Sequence, residues 1–393
     1  MSQSGIYIHI PYCLQRCHYC DFTTFEADKI LPQEDYVDWL CREIRARSEV
    51  IPFRQLTSIY FGGGTPSLLP ASSILAILDQ LNKAGFEWSR ETEVTIEINP
   101  ATVDENKLNV LLNGGINRFS LGAQSFSDRH LKACGRRHNA DQTRDSLRLF
   151  HEQDVNYSFD LLFALPNQTM AELQQDLDEI SRWDPPHLSA YCLTVPEGHP
   201  MSYNRPEEQD QLDMFDAVDE HLDRMGIHKY ELSNFSKPGM QSKHNQLYWS
   251  NKAYWGLGLS AHSYFPDQGL GRRFWNPKSF KDYFQQIELS ETSGPGWWSE
   301  LSGDYFEDLQ EHEALTDYCH MHLRTMKGLN LKDLSRHPDW VKLLEPRLNS
   351  LNQRGFIRQH DSSWQLTKSG QRLSNQVYAE LLFLREDLDR SSR

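Results

Sequence analysis

Between residues 5 and about 232 the chain alternates short apolar, β-rich runs with longer amphipathic stretches, and this alternation limits the fold more than any other feature of the sequence. The runs at 5–10, 57–61, 93–98, 118–121, 157–165, 187–195 and 229–232 read as strands. Patterns of helical period fall between them at 35–50, 71–82, 105–113, 141–153, 170–181 and 209–225. Strands separated by single helices require parallel pairing, and about six such units suit a full or partial barrel. In such folds the reactive groups gather at the C-terminal ends of the strands.

The pattern changes after residue 235. Gly, Asn, Tyr and Trp become frequent through Asn276, the polar stretch 291–303 reads as a linker, and helices followed by a small hairpin are expected from Tyr305. The hairpin, at 355–366, resembles that of a winged-helix module. Three segments are therefore expected: a barrel over 1–235, a connecting region over 236–300 and a winged-helix-like domain over 301–393. With 40 Lys and Arg against 55 Asp and Glu the chain carries a formal charge of −15, which excludes broad binding to a phosphate backbone. No nucleic-acid partner is expected, and the winged module is read as packing or protein-facing. The start of the chain has no signal-peptide pattern, and no apolar run is long enough to span a bilayer. The expectation is a cytoplasmic protein that is not integral to a membrane.

Seven cysteines, three of them within eight residues, do not form a disulfide framework. Cys13, Cys17 and Cys20 have the spacing C-x3-C-x2-C on the loop after the first strand. Thiolates suit an iron–sulfur cluster, and three of them leave one iron of a [4Fe–4S] cluster open to the amino and carboxylate groups of a methionine moiety. A structural zinc site completed by His18 is the alternative. Candidate ligand-binding groups follow at successive strand ends: the glycine triplet Gly62, Gly63, Gly64 with Thr65; Glu97 and Asn99 on one face of the third strand; Gln124 after the fourth; Arg136 and Arg137, which can clamp a carboxylate; and Asp160, a carboxylate in an otherwise apolar strand.

Taken together these residues resemble the radical SAM superfamily, in its branch of oxygen-independent coproporphyrinogen III oxidases and related heme chaperones. The resemblance extends over nearly the whole chain through Tyr7-Ile-His9-Ile-Pro11, Gly62-Gly-Gly-Thr-Pro-Ser67, Gly122-Ala-Gln-Ser-Phe126, Tyr230-Glu-Leu-Ser-Asn-Phe235 and His244-Asn-Gln-Leu-Tyr-Trp249. It implies an α/β fold, a partial (β/α)6-type radical SAM barrel with a C-terminal helical, winged-helix-like domain. It implies a [4Fe–4S] cluster on the three cysteines and S-adenosylmethionine held by Tyr7, Gly63 and Glu97. Gly64, Thr65, Gln124, Arg136 and Asp160 would make further contacts, some of which serve a second molecule in the oxidases, and Tyr19 would line the cofactor. One-electron cleavage of S-adenosylmethionine to methionine and a 5′-deoxyadenosyl radical is the chemistry that the resemblance carries.

Departures choose between the branches. The oxidases carry a further cysteine two residues after the third cluster cysteine; this chain has Phe22 there. The signature from His244 to Trp249 resembles that of the chaperones. Against their pattern, the acidic residue after the sixth strand is shifted to Glu197, and Ala164 replaces a glycine. The expected function is heme binding and delivery to haemoproteins, including membrane-associated respiratory enzymes, without an obligatory radical turnover or coproporphyrinogen oxidase activity. His244 leads as heme ligand, since imidazole is a common axial ligand, and His262 comes second. Coproporphyrinogen oxidation is one alternative. The other is a client-binding scaffold that carries a cluster and no heme, with Trp297, Trp298 and Trp340 as a contact surface.

Overall fold

In the computed structural model, residues 3–266, 268–300 and 305–391 are described. Six parallel strands form the framework: β1 Ser4–Ile10, β2 Ser58–Gly63, β3 Glu93–Ile98, β4 Arg118–Gln124, β5 Tyr157–Phe163 and β6 His187–Cys192, adjacent in that order. Helices α1 Gln33–Arg47, α2 Ala71–Lys83, α3 Glu105–Asn113, α4 Ala140–Glu152, α5 Met170–Trp183 and α6 Glu208–Arg224 follow the strands in turn. Local chemistry sets the helix starts: Asp104 caps α3 by accepting from the Lys107 N–H, and Asn139 and Thr169 form capping boxes with Gln142 and Glu172. The period-two alternation sends Ile6, Ile8 and Ile10 of β1 into the core, all fully buried, and leaves Tyr7 and His9 to the other face.

The sheet does not close. Strand Ala253–Leu257 pairs parallel with the outer side of β1, and antiparallel strands His262–Phe265, Arg272–Trp275 and Phe306–Asp308 extend that edge. On the other side, Asn234–Ser236 pairs antiparallel with β6 and His228–Lys229 with it. This is the expected α/β architecture, an open parallel-rich barrel with a helical C-terminal region. The strand expected at 229–232 is instead a short hairpin. Its turn is closed by the Tyr230 N–H donating to the Asn234 carbonyl at 3.1 Å, and it buries Glu231.

The stretch read as a linker is ordered through Glu300. Helix Phe280–Ser293 runs into a 3-10 turn, Gly294–Glu300; residues 301–303 lie outside the described residues. A contact distant in sequence explains this order. Arg47, fully buried, donates to Glu43 at 2.9 Å, Asn276 at 2.7 Å, Gln286 at 3.0 Å and Ser290 at 3.0 Å, and Trp297 covers its guanidinium at 4.4 Å. Glu43 accepts in addition from Tyr283 at 2.7 Å and the Gly258 N–H at 2.8 Å. Every charge here is paired and hydrogen-bonded, the condition on which a buried ion pair is tolerated.

The C-terminal part has its own core around Leu315, Leu323, Trp340, Leu344, Leu348 and Trp364. Helices Glu311–Leu323 and Pro338–Gln353 pack on a three-stranded sheet of Leu329–Asn330, Ser363–Leu366 and Ile357–His360, the expected helices and hairpin. Trp297 and Trp340 are both buried and offer no surface; the Trp298 side chain lies outside the described residues. No helix among the described residues is long and apolar enough to cross a membrane.

Candidate functional site

β1 delivers the cysteine loop to the C-terminal end of the sheet. The loop is closed by a short parallel pairing of Tyr12–Cys13 with Phe25–Glu26 and turns where the Cys20 N–H donates to the Cys17 carbonyl at 3.2 Å. It is pinned to the segment after the short helix Asp128–Ala133. The His18 N–H reaches the Cys134 carbonyl at 3.0 Å, Gln15 the Gly135 carbonyl at 3.2 Å, and His18 Nδ1 the Ala133 carbonyl at 2.9 Å. His18, the fourth ligand of the zinc alternative, is thus tied back to this segment by its ring. Arg136 follows at once and donates to Cys17 Sγ at 3.4 Å, to Asn99 Oδ1 and to the Gly122 carbonyl.

The glycine triplet at the end of β2 serves close packing of the chain on itself. The Gly64 N–H donates to the Ile10 carbonyl at 2.8 Å and the Thr65 N–H to the Tyr12 carbonyl at 2.7 Å. A Cβ on Gly64 would lie 2.5 Å from the Tyr12 oxygen, and one on Gly63, at φ 111°, would lie 2.5 Å from the His9 ring. The triplet therefore seats the cysteine loop. Thr65 Oγ1 approaches Cys13 Sγ at 4.0 Å and accepts from Asn99 Nδ2 at 2.9 Å.

Glu97 is held from two sides: the Tyr60 hydroxyl donates to Oε1 at 2.8 Å and the Gly63 N–H to Oε2 at 3.0 Å. Burial, with the Asp160 carboxylate nearby, outweighs these donors and raises its pKa to about 7. Burial likewise lifts Asp160 to about 6 against hydrogen bonds from Ser189 and Ser120 and the charges of Arg118 and Arg136. Burial pushes the Cys13 thiol up to about 11, so metal must displace a proton there. Gln124, at a register shift between β4 and β5, has a left-handed φ of 68°. That is a conformation rare for a side chain of this kind and typical of ligand clamps.

Cys13, Cys17 and Cys20 with Tyr19, Gly63, Gly64, Thr65, Glu97, Gln124, Arg136 and Asp160 all line one cavity of about 850 Å³. The donor set fits a cluster: three soft thiolates on one loop, a guanidinium on one of the sulfurs, and open space in front. Tyr7, expected to hold S-adenosylmethionine with these residues, lines a second cavity of about 810 Å³ instead, and His244, the expected heme ligand, lines that cavity too. The two cavities adjoin, with Phe22, Gly63, Glu97 and Asp160 bordering both. Phe22, where the oxidases have a cysteine, is 62% exposed.

His244 is fully enclosed in the wall of the second cavity. Nδ1 lies 2.8 Å from the Ser58 hydroxyl, Nε2 2.8 Å from the Tyr248 hydroxyl, and the ring stacks on Tyr60 at 5.0 Å. Burial and the Arg118 charge lower its pKa to about 3, so the ring is neutral. Sequence reasoning left out Arg118, His187 and Tyr191, which line the same lumen. The signal was present in the alternation itself: Ser58-x-Tyr60, Glu93-x-Thr95-x-Glu97, Arg118-x-Ser120, Ser158-x-Asp160 and His187-x-Ser189-x-Tyr191 put polar residues on one face of five successive strands.

Known proteins resemble this chain in sequence and in fold. The Radical SAM superfamily matches over residues 7–180. The heme chaperone HemW of Haemophilus influenzae is 31% identical over 397 residues, covering 98% of each chain. That of Bacillus subtilis is 32% identical over 390 residues, covering 96% of this chain and 98% of the other. Among solved structures, the coproporphyrinogen III oxidase HemN of Escherichia coli, a radical SAM enzyme, superposes with a TM-score of 0.79 at 21% identity, over 97% of this chain and 90% of that one. This last match is a likeness of fold.

Proposed function

The chain belongs to the radical SAM superfamily and, within its coproporphyrinogen oxidase-like branch, to the HemW family, and on that premise we propose that it is a heme chaperone that carries a [4Fe–4S] cluster and S-adenosylmethionine. The observation that carries the reading is the convergence of the Cys13, Cys17 and Cys20 thiols, the Glu97 and Asp160 carboxylates and the Arg136 guanidinium on one cavity that opens beside a second of similar size. Cys13, Cys17 and Cys20 would hold the cluster. Arg136 would neutralise thiolate charge at Cys17, and Glu97 would accept from the amino group or ribose hydroxyls of S-adenosylmethionine. When bound, the two cofactors supply one-electron chemistry; the chain's own part is to orient them, with Tyr60 and the Gly63 N–H fixing Glu97 and Asn99 fixing Arg136. The second cavity would take heme, for delivery in the cytoplasm to haemoproteins such as respiratory enzymes.

One comparison tests this. The full chain is reconstituted anaerobically and assayed side by side for heme binding and for coproporphyrinogen decarboxylation. Heme bound without decarboxylation is the expected result. Protoporphyrinogen formation would make the protein an oxidase despite Phe22, and a cluster without either activity would leave a scaffold.

A further inference from the structure

Four histidines border the cavity of about 810 Å³: His9, His187, His244 and His262. Three have both ring nitrogens engaged. His9 meets the Tyr7 hydroxyl at 3.1 Å and the Thr23 carbonyl at 2.8 Å. His187 meets the Ser158 hydroxyl at 2.7 Å and the Tyr230 hydroxyl at 2.8 Å. His244 sits between Ser58 and Tyr248 as described. Each is also buried, so releasing a nitrogen would strand a buried hydroxyl or carbonyl.

His262 differs on every count. It opens strand His262–Phe265, is exposed, and has no hydrogen-bond partner for either ring nitrogen among the described residues. Its ring is nevertheless fixed in direction, stacked on Trp275 at 5.6 Å and 21°. Partial burial, with Lys278 and Arg273 nearby, lowers its pKa and keeps a lone pair free at neutral pH.

The same cavity holds cations suited to carboxylates. Arg118 is 3% exposed; its nearest carboxylate oxygen is Glu93 Oε2 at 3.9 Å, and its Nε has no hydrogen-bond partner among the described residues. Glu93 is itself occupied, accepting from the Lys243 and His244 N–H groups at 2.8 and 3.1 Å. Arg324 lies over the Trp249 ring at 4.5 Å, and its Nε has no hydrogen-bond partner among the described residues either. A free imidazole, aromatic walls and guanidinium groups, one of them buried, are what iron, macrocycle and propionates each require.

We infer that His262 is the residue that ligates the iron of the bound heme, and that His244 is a positioning residue in the cavity wall; the inference rests on the heme-chaperone reading above. The test is a heme titration of the reconstituted full chain followed in the Soret region. His262→Ala is expected to lose the imidazole-type Soret position and to bind heme at least tenfold more weakly, and free imidazole added to this variant is expected to restore the band. His244→Gln is expected to lower the Tm while keeping the Soret position. A His262→Ala protein with unchanged band and affinity overturns the inference and leaves the chaperone reading standing. Loss of the band in a folded His244→Gln protein overturns it too. If the unsubstituted chain binds no heme, the chaperone reading itself fails.

Discussion

Glu97→Gln separates what the site needs for binding from what the fold tolerates. The carboxyl titrates at about 7 against an ordinary 4.5, chiefly because burial penalises its charge, and a shift of this size corresponds to roughly 3 kcal/mol at full ionisation. One edge of Glu97 faces the cavity, so solvation there leaves about 1–2 kcal/mol as the working figure. The sign follows from proton uptake. Between pH 4.5 and 7 the folded chain keeps a proton that the unfolded chain has lost, so stability falls as pH rises through this window, and the penalty is complete above it. The amide is isosteric and uncharged. Its oxygen can keep the Gly63 N–H, and the Tyr60 hydroxyl can turn to accept from its nitrogen. The cluster-free Glu97→Gln chain is therefore expected to be more stable than the original by about 1–2 kcal/mol at pH 8 and to match it near pH 4.5, by urea unfolding at both pH values. S-Adenosylmethionine affinity, by calorimetry on the reconstituted protein, is expected to fall at least tenfold at pH 8. In the unsubstituted chain it is expected to weaken as pH drops below about 7. A Glu97→Gln chain that is less stable at pH 8, or whose stability difference is the same at both pH values, refutes the argument that the fold carries an unfavourable charge here.

Three further outcomes follow from the same geometry. Cys17→Ala removes the thiol that Arg136 contacts and is expected to abolish the brown iron–sulfur absorbance, while bound zinc in its place would point to a mononuclear site. Gly64→Ala drives a Cβ against the Tyr12 and Ile10 carbonyls, and two backbone oxygens cannot swing aside; a loss of about 1–3 kcal/mol in urea unfolding and a lower iron content per chain are expected. Arg47→Ala leaves Glu43 charged and buried, and is expected to destabilise the chain by about 3–5 kcal/mol in the same assay, with the helix Phe280–Ser293 losing amide-exchange protection first.

The sequence carries the framework of this protein because a parallel strand between helices is a local pattern. Residues 93–98 read as a strand and form one, and the helix expected at 170–181 is observed as Met170–Trp183. What it hides depends on partners distant along the chain. Nothing in Ala253–Leu257 says that it will pair with β1, since a run of five residues fits any open sheet edge. The polar stretch after residue 290 looks like a linker until Arg47 is seen to bind Ser290 and to lie against Trp297.

The cofactor candidates were legible for a related reason. Cys13, Gly64, Glu97 and Gln124 lie at or near successive strand ends, with Asp160 midway along the next strand, and a parallel sheet brings such positions together by its topology alone. The fate of a histidine has no such rule. His244 stands in a conspicuous motif, yet Ser58, which lies 186 positions upstream, and Tyr248, one helical turn away, engage both of its nitrogens. His262 stands in an unremarkable Gly–Leu–Ser–Ala context, and only the folded chain shows its ring stacked on Trp275 with neither nitrogen hydrogen-bonded among the described residues. A sequence motif records which residues travel together. Whether an imidazole can bind iron depends on whether its lone pair is already in use, and that is a property of the packed lumen.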